Sequence, residues 1–404
     1  MPTPTPPALP LPDLLAWPAA LFVAWLLGEA AYRRLGLPRV TVWAVVGFVL
    51  AAPPLSLLPA SDGALLLANI AFGLVLFEFG HRINLGWFAH NRTLAISGVL
   101  ESTATFVVVA FAARAFGMSL THALLVASLS MATSPAGVLR VVNELRSAGQ
   151  VTERVLHLAA INCVLAVAAY KTVLAFSVFQ TSGSALAAVS SSLLVVAGSV
   201  AAGLAFGVLV PWLLRTVPER GADGTLAFAI AVVALAALTH GLKLSPVVAT
   251  LTFGLAVRWR RIVLGPAQRG FGSLGDLLSV LLFVYVASTL DAQRVAAGLG
   301  LGALLVLLRL FVKTAVVALF ARASGTSWTK GALTGAALAP MSAFVVLVLE
   351  QTRHGGVDLL EVLAPLAAAT LLLEAIGPVI TQRALLAAKE ATPPRLVPGE
   401  EARR

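Results

Sequence analysis

Cysteine is almost absent from this 404-residue chain: Cys163 stands alone, so no intrachain disulfide framework exists to staple a small secreted fold. Charge is scarce too, at 11% of residues, and no polar stretch is long enough to form a soluble domain. No Ser/His/Asp or metal-ligand grouping is present; His81, His157 and His240 are scattered over loops and span ends. An enzyme is therefore not expected, nor a cofactor or a resident metal. The short segments of alternating polarity that build an outer-membrane barrel are missing, as continuous apolar runs such as Leu301 to Phe311 show. The N-terminus opens with prolines and has no basic start, so no cleaved signal peptide is expected.

What the chain has in abundance is apolar length. Hydrophobic residues make up 59% and the mean hydropathy is +0.94, the composition of an integral membrane protein whose main partner is the lipid bilayer. Crossing a bilayer as a helix takes roughly 20 apolar residues. Thirteen candidate spans follow: 14–32, 40–60, 63–80, 93–117, 120–143, 152–178, 185–214, 224–241, 245–262, 273–290, 296–320, 328–350 and 358–386. The expected organisation is an all-α polytopic protein, one transmembrane domain over 1–390 and a short cytoplasmic tail over 391–404.

The basic residues set an orientation. Of the 28 Lys and Arg, 21 fall in connections after odd-numbered spans or in the tail, whereas the opposite side holds Arg114, Lys243, Arg294 and Arg353. By the positive-inside rule the C-terminus is expected in the cytoplasm and the N-terminus outside, in the inner (plasma) membrane. The net charge of +10 is thus orientation signal. No nucleic-acid partner is expected, because the basic loops are not interleaved with aromatic residues.

Two interruptions organise the interior. Met131-Ala-Thr-Ser-Pro-Ala-Gly137 breaks the fifth span at Thr133, Ser134 and Pro135, and Ala339-Pro-Met-Ser342 breaks the twelfth at Pro340. Helices broken in mid-bilayer are tolerated where protein or a water-filled cavity satisfies the freed backbone, as in transporters. The breaks are seven spans apart, an odd number, so the two units carrying them run in opposite directions as inverted repeats. Ordinary proline kinks are the plainer alternative.

Ionisable groups inside spans are costly unless paired or facing water. The acids are Glu78, Glu101 and Glu374 and the bases Lys171, Arg309 and Lys313, three against three, as in a core charge network. Glu78 lies in Leu74-Val-Leu-Phe-Glu-Phe-Gly80, with almost no polar neighbour along the chain. Such surroundings disfavour the charged carboxylate, which suits a ligand that exchanges cation for proton. The sixth span adds Asn162, whose amide donates to carboxylates and whose carbonyl coordinates hard cations. An intramembrane Asn also serves as packing glue between helices.

These stretches together resemble the monovalent cation/proton antiporter superfamily, whose members are sodium/proton exchanger-like transporters. The resemblance is carried by Leu37-Pro-Arg-Val-Thr-Val-Trp-Ala-Val-Val-Gly47, Leu76-Phe-Glu-Phe-Gly-His-Arg-Ile-Asn-Leu85, Ala132-Thr-Ser-Pro-Ala-Gly-Val-Leu-Arg140 and Ala160-Ile-Asn-Cys-Val-Leu165. Further matches are Leu244-Ser-Pro-Val-Val-Ala-Thr-Leu-Thr-Phe-Gly254, the helix holding Arg309 and Lys313, and Glu374-Ala-Ile-Gly-Pro378. It implies a scaffold and a core of two inverted repeats, alternating access, a homodimer, and exchange of sodium, potassium or lithium for protons. By position the ion-binding group becomes Glu78, Thr133, Ser134, Asn162 and Cys163, with Arg309 or Lys313 supporting it.

Cys163 stands where the family pattern has an Asp. A thiol is a soft ligand and a poor replacement for a carboxylate toward an alkali cation. Lys171 follows two helical turns later, and His81, Arg82 and Asn84 stand where the pattern often has acids. Three readings are compatible with these residues: a cation/proton antiporter with a rearranged site, a carrier of an anionic or organic substrate on the same scaffold, or a non-transporting sensor or assembly protein.

Overall fold

A computed structural model describes residues 13–59, 61–179, 185–216, 224–260, 271–341, 345 and 360–392. Among these residues all regular structure is helical. In chain order the helices are α1 (Asp13–Leu35), α2 (Arg39–Ala51), α3 (Asp62–Arg82), α4 (Leu85–His90), α5 (Arg92–Ala115), α6 (Leu120–Ser130), α7 (Pro135–Leu145) and α8 (Gln150–Phe179). They continue with α9 (Ala185–Thr216), α10 (Gly224–Gly241), α11 (Pro246–Trp259), α12 (Gly272–Ser288), α13 (Ala292–Leu319), α14 (Trp328–Ala337) and α15 (Leu360–Ala387). Eight segments are long and apolar enough to cross a membrane, counting α6 and α7 as one interrupted span, and four apolar helices are shorter. The chain is a multi-pass membrane protein.

Local chemistry sets the ends. Ser119, Ser134, Ser245 and Ser327 each cap the helix that follows by accepting a backbone N–H, and proline at the first position of α7 and α11 needs no donor there. The second span is shorter than its apolar run: α2 stops at Ala51, since Pro53 and Pro54 cannot continue it. The twelfth is interrupted as expected, with α14 ending at Ala337; Ser342 and most of the span's second half lie outside the described residues. The short α4, capped by Asn84, was not expected.

The helices pack in two groups. One holds α1, α2, α3, α10, α11 and α12, with α9 against α11; the other holds α5, α6, α7, α8, α13, α14 and α15. Inside the first, α3 and α11 touch backbone to backbone: a Cβ on Gly80 would lie 2.2 Å from the Leu251 carbonyl oxygen, and one on Gly254 2.1 Å from that of Phe77. Only glycine fits at either position. The rings of Phe77, Phe228 and Phe253 pack against one another in tilted pairs beside this contact. In the second group the interrupted α6–α7 segment is the most enclosed of the spans: 94% of its apolar window is buried, against 22% in α1 and α9. The tail closes the same group, because the Glu390 carboxylate accepts from the Val151 and Thr152 amides at 2.8 Å each and from the Thr152 hydroxyl at 3.0 Å, capping α8.

Candidate functional site

The two breaks meet. Ser134 N donates to the Pro340 carbonyl at 2.7 Å, and the Thr133 hydroxyl donates to the Leu338 carbonyl at 3.2 Å. Residues 131–134 and 338–341 are not helical, so their carbonyls need donors from elsewhere. Arg309, 1% exposed on α13, supplies them to both sides. Its Nε donates to Ser130 O (3.0 Å), Nη1 to Ala339 O (2.6 Å), and Nη2 to Ala132 O (2.5 Å), Leu338 O (3.1 Å) and Pro340 O (3.4 Å). One turn on, Lys313 donates to Met131 O at 3.0 Å and pairs with Glu101 at 2.8 Å, all out of contact with solvent. The two cations therefore have different tasks: Arg309 ties the broken backbones and Lys313 neutralises an acid.

Asn162 joins this crossing from α8. Its Nδ2 donates to the Thr133 hydroxyl at 3.1 Å, and its Oδ1 accepts from Ser102 at 2.8 Å. Thr133, Ser134, Asn162 and Cys163 are wholly buried. The structure thus brings Thr133 and Asn162 together but commits their polar atoms to each other and to the backbone. Cys163 is a free thiol within the apolar core, in the same cluster as Leu125 and Leu129.

The charged groups expected in one core network fall in separate places. Glu101 and Lys313 pair, Arg309 is occupied by carbonyls, Lys171 is half-buried on α8 and bonded to none of them, and Glu374 is buried on α15 with no ion pair among the described residues. The physical reason is geometric: the guanidinium's donors are used up by the two breaks, which leaves none for a carboxylate.

Glu78 belongs to a second constellation, between the two groups of helices. It is 9% exposed on α3 and accepts from the Asn143 amide of α7 at 3.0 Å, with Arg82 at 3.5 Å. Arg82 also donates to the Asn143 carbonyl oxygen. Along the same face of α7, Arg140 pairs with Asp276 of α12 at 2.7 Å and Glu144 with Arg39 of α2 at 2.9 Å, while Arg39 reaches Glu29 of α1 at 2.7 Å. These groups line an open cavity of about 920 Å³ whose other wall carries Phe22, Trp25 and Trp43. Arg140 and Asn143 also line the adjoining small pocket, about 20 Å³, onto which Glu78 faces, room for about one water.

Sequence reading missed Asn143, Glu144, Arg39 and Asp276 as site residues and took Arg140 for an orientation charge. A signal was there: Arg140, Asn143 and Glu144 repeat at helical spacing on a segment whose opposite face, Val138, Val141, Val142 and Leu145, is apolar.

The transmembrane model of the sodium/hydrogen exchanger family matches residues 19–387. No curated protein matches the sequence. Among solved structures, the sodium proton antiporter MjNhaP1 from Methanocaldococcus jannaschii at pH 8 superposes with a TM-score of 0.66 at 15% identity, over 93% of this chain and 96% of that one. An electron-microscopy structure of the same antiporter gives 0.68 at 18% identity, over 93% and 94%. At such identities the likeness is one of fold.

Proposed function

This chain belongs to the sodium/hydrogen exchanger family, and from that premise we propose that it exchanges a monovalent cation (sodium, lithium or potassium) for protons by alternating access. The group holding α5–α8 and α13–α15 moves against the group holding α1–α3 and α9–α12, as core against scaffold. As the family resemblance implies, the working unit is a homodimer in the plasma membrane. The cavity is lined by Arg39 and Arg140, basic residues of the side that the positive-inside rule puts in the cytoplasm.

One observation carries the site: Glu78 of one group is hydrogen-bonded to Asn143 of the other at the inner end of the polar cavity. A carboxylate between two apolar bundles is stable when it holds a proton, a metal cation or a fixed positive partner. Glu78 holds the exchangeable proton, which leaves to water as an arriving cation takes the carboxylate; the Asn143 carbonyl and water complete the oxygen shell, and Arg82 stays beside it as a fixed neighbour. Thr133, Ser134 and Asn162, the other residues expected to bind the ion, hold the crossing together. Cys163 stands where the resemblance puts the family's Asp, and its replacement moves the exchanging carboxylate to Glu78.

Proteoliposomes containing a pH-sensitive dye test this directly. Wild-type protein is expected to show proton flux on addition of sodium, lithium or potassium chloride, and Glu78→Gln to reduce it at least tenfold. Undiminished flux in the variant would remove Glu78 from the mechanism.

A further inference from the structure

Glu374 is 2% exposed near the middle of α15, and its Oε1 has no hydrogen-bond partner. Thr370, four residues earlier on the same helical face, is 1% exposed, and its hydroxyl is likewise unpartnered. The chain gives this level of the helix a further free oxygen: Pro378 has no N–H, which removes the donor that would normally close on the Glu374 carbonyl. The face points at the crossed breaks. Further along it, a Cβ on Gly377 would lie 3.1 Å from Pro340 Cα, and the Thr381 hydroxyl donates to the Ala337 carbonyl at 3.0 Å.

Among the described residues no fixed charge pairs with this carboxylate. Of the groups on helices packed against α15, Arg309 of α13 is taken up by carbonyls and Lys313 by Glu101. Arg39 of α2 and Glu144 of α7 pair with each other, and Arg140 of α7 pairs with Asp276. Lys330 near the start of α14 is half-exposed beside Gln150, and His122 is at the first turn of α6. Among the described residues Glu101 and Glu374 each carry a buried carboxylate oxygen without a hydrogen-bond partner, and Glu101 is paired with Lys313 through its other oxygen. A bare charge at Glu374 is strongly disfavoured; a carboxyl that holds a proton, or a carboxylate that holds a cation, is not.

We propose that Glu374 and Thr370 form a second monovalent-cation/proton site, within the group of helices that carries the crossed breaks. This rests on the exchange function proposed above and adds a carrier on its moving part: Glu78 sits on the other group, whereas Glu374 travels with the breaks. The step balances as one alkali cation bound to the carboxylate, the Thr370 hydroxyl oxygen and the Glu374 carbonyl, for one proton released to water. Nothing is oxidised or reduced.

The test is proton release from purified full-length protein in weakly buffered detergent on addition of lithium, sodium or potassium chloride. Wild type, Glu78→Gln, Glu374→Gln, Glu374→Asp and Thr370→Val are compared, each checked for an unchanged melting temperature. The proposal expects Glu374→Gln to release about half as many protons as wild type, Glu78→Gln to keep the other half, and Thr370→Val to weaken the apparent cation affinity several-fold at unchanged proton number. If Glu374→Gln does not fold, Glu374→Asp is expected to keep the full proton number with a shifted affinity. Full release from Glu374→Gln, or unchanged affinity in Thr370→Val together with unchanged affinity in Glu374→Asp, overturns this site and leaves Glu78 standing. No release from wild type overturns both.

Discussion

The crossing of the two breaks and the cavity beside α7 are both polar places in an apolar protein, yet they treat polarity in opposite ways. At the crossing almost every donor and acceptor is matched in a dry interior: five carbonyls on Arg309, Thr133 on Asn162 and Asn162 on Ser102. At the cavity the pairs Arg140–Asp276 and Arg39–Glu144 stand partly exposed beside space for water and ions. A region with every bond committed holds shape, and a region with exposed, exchangeable pairs handles charge. The contrast is what favours the proposed exchange at Glu78 beside α7, although the most conspicuous sequence feature is the crossing.

Breaking the crossing should have the largest effect. Arg309→Met strands several buried carbonyls at ~1 to 3 kcal/mol each, so a loss of about 5 kcal/mol or more, or failure to fold, is expected in thermal unfolding of the solubilised protein. Next comes Lys313→Met, which leaves Glu101 charged and alone and should cost ~3 to 5 kcal/mol. Adding Glu101→Met to it is expected to recover most of that loss; a double variant as unstable as the single one would show that the pair does more than balance charge. Cys163→Ala removes a thiol from the apolar core and should cost about 1 kcal/mol with exchange retained; loss of exchange at intact stability would put the thiol back in the site. The smallest effect belongs to the cavity: Asp276, with its side chain 69% exposed, should contribute ~0 to 1 kcal/mol through Arg140, so Asp276→Asn should leave the melting temperature nearly unchanged and alter the salt dependence of transport.

The fold was largely legible because the bilayer enforces it. Apolar length gives the spans, and a Ser-Pro pair inside an apolar run, as at Ser134-Pro135, can only be a cap and a first turn. Seven spans between breaks gave the opposed repeats. The partners were not legible. That Arg309 serves carbonyls while Lys313, four residues on, serves a carboxylate depends on which segments arrive from 29 to 212 positions away. Asn143 and Glu144 looked like the polar end of a span, and only the approach of α2, α3 and α12 turns them into a cavity wall. The end of α2 at Ala51 was readable from Pro53-Pro54, but the apolar residues beyond it suggested a longer helix.

The cap on α8 bears on how the protein is made. Its second and third amides are held by Glu390, which lies 239 and 238 positions further along the chain. At ~5 to 20 residues per second, α8 waits on the order of 10 to 50 s after synthesis for the side chain that finishes it. Throughout that interval the helix carrying Asn162 sits in the membrane with an open end. Synthesis past Glu390, rather than insertion of α15, is the event that completes this closure, and a chain cut between Ala387 and Glu390 keeps every described helix without it.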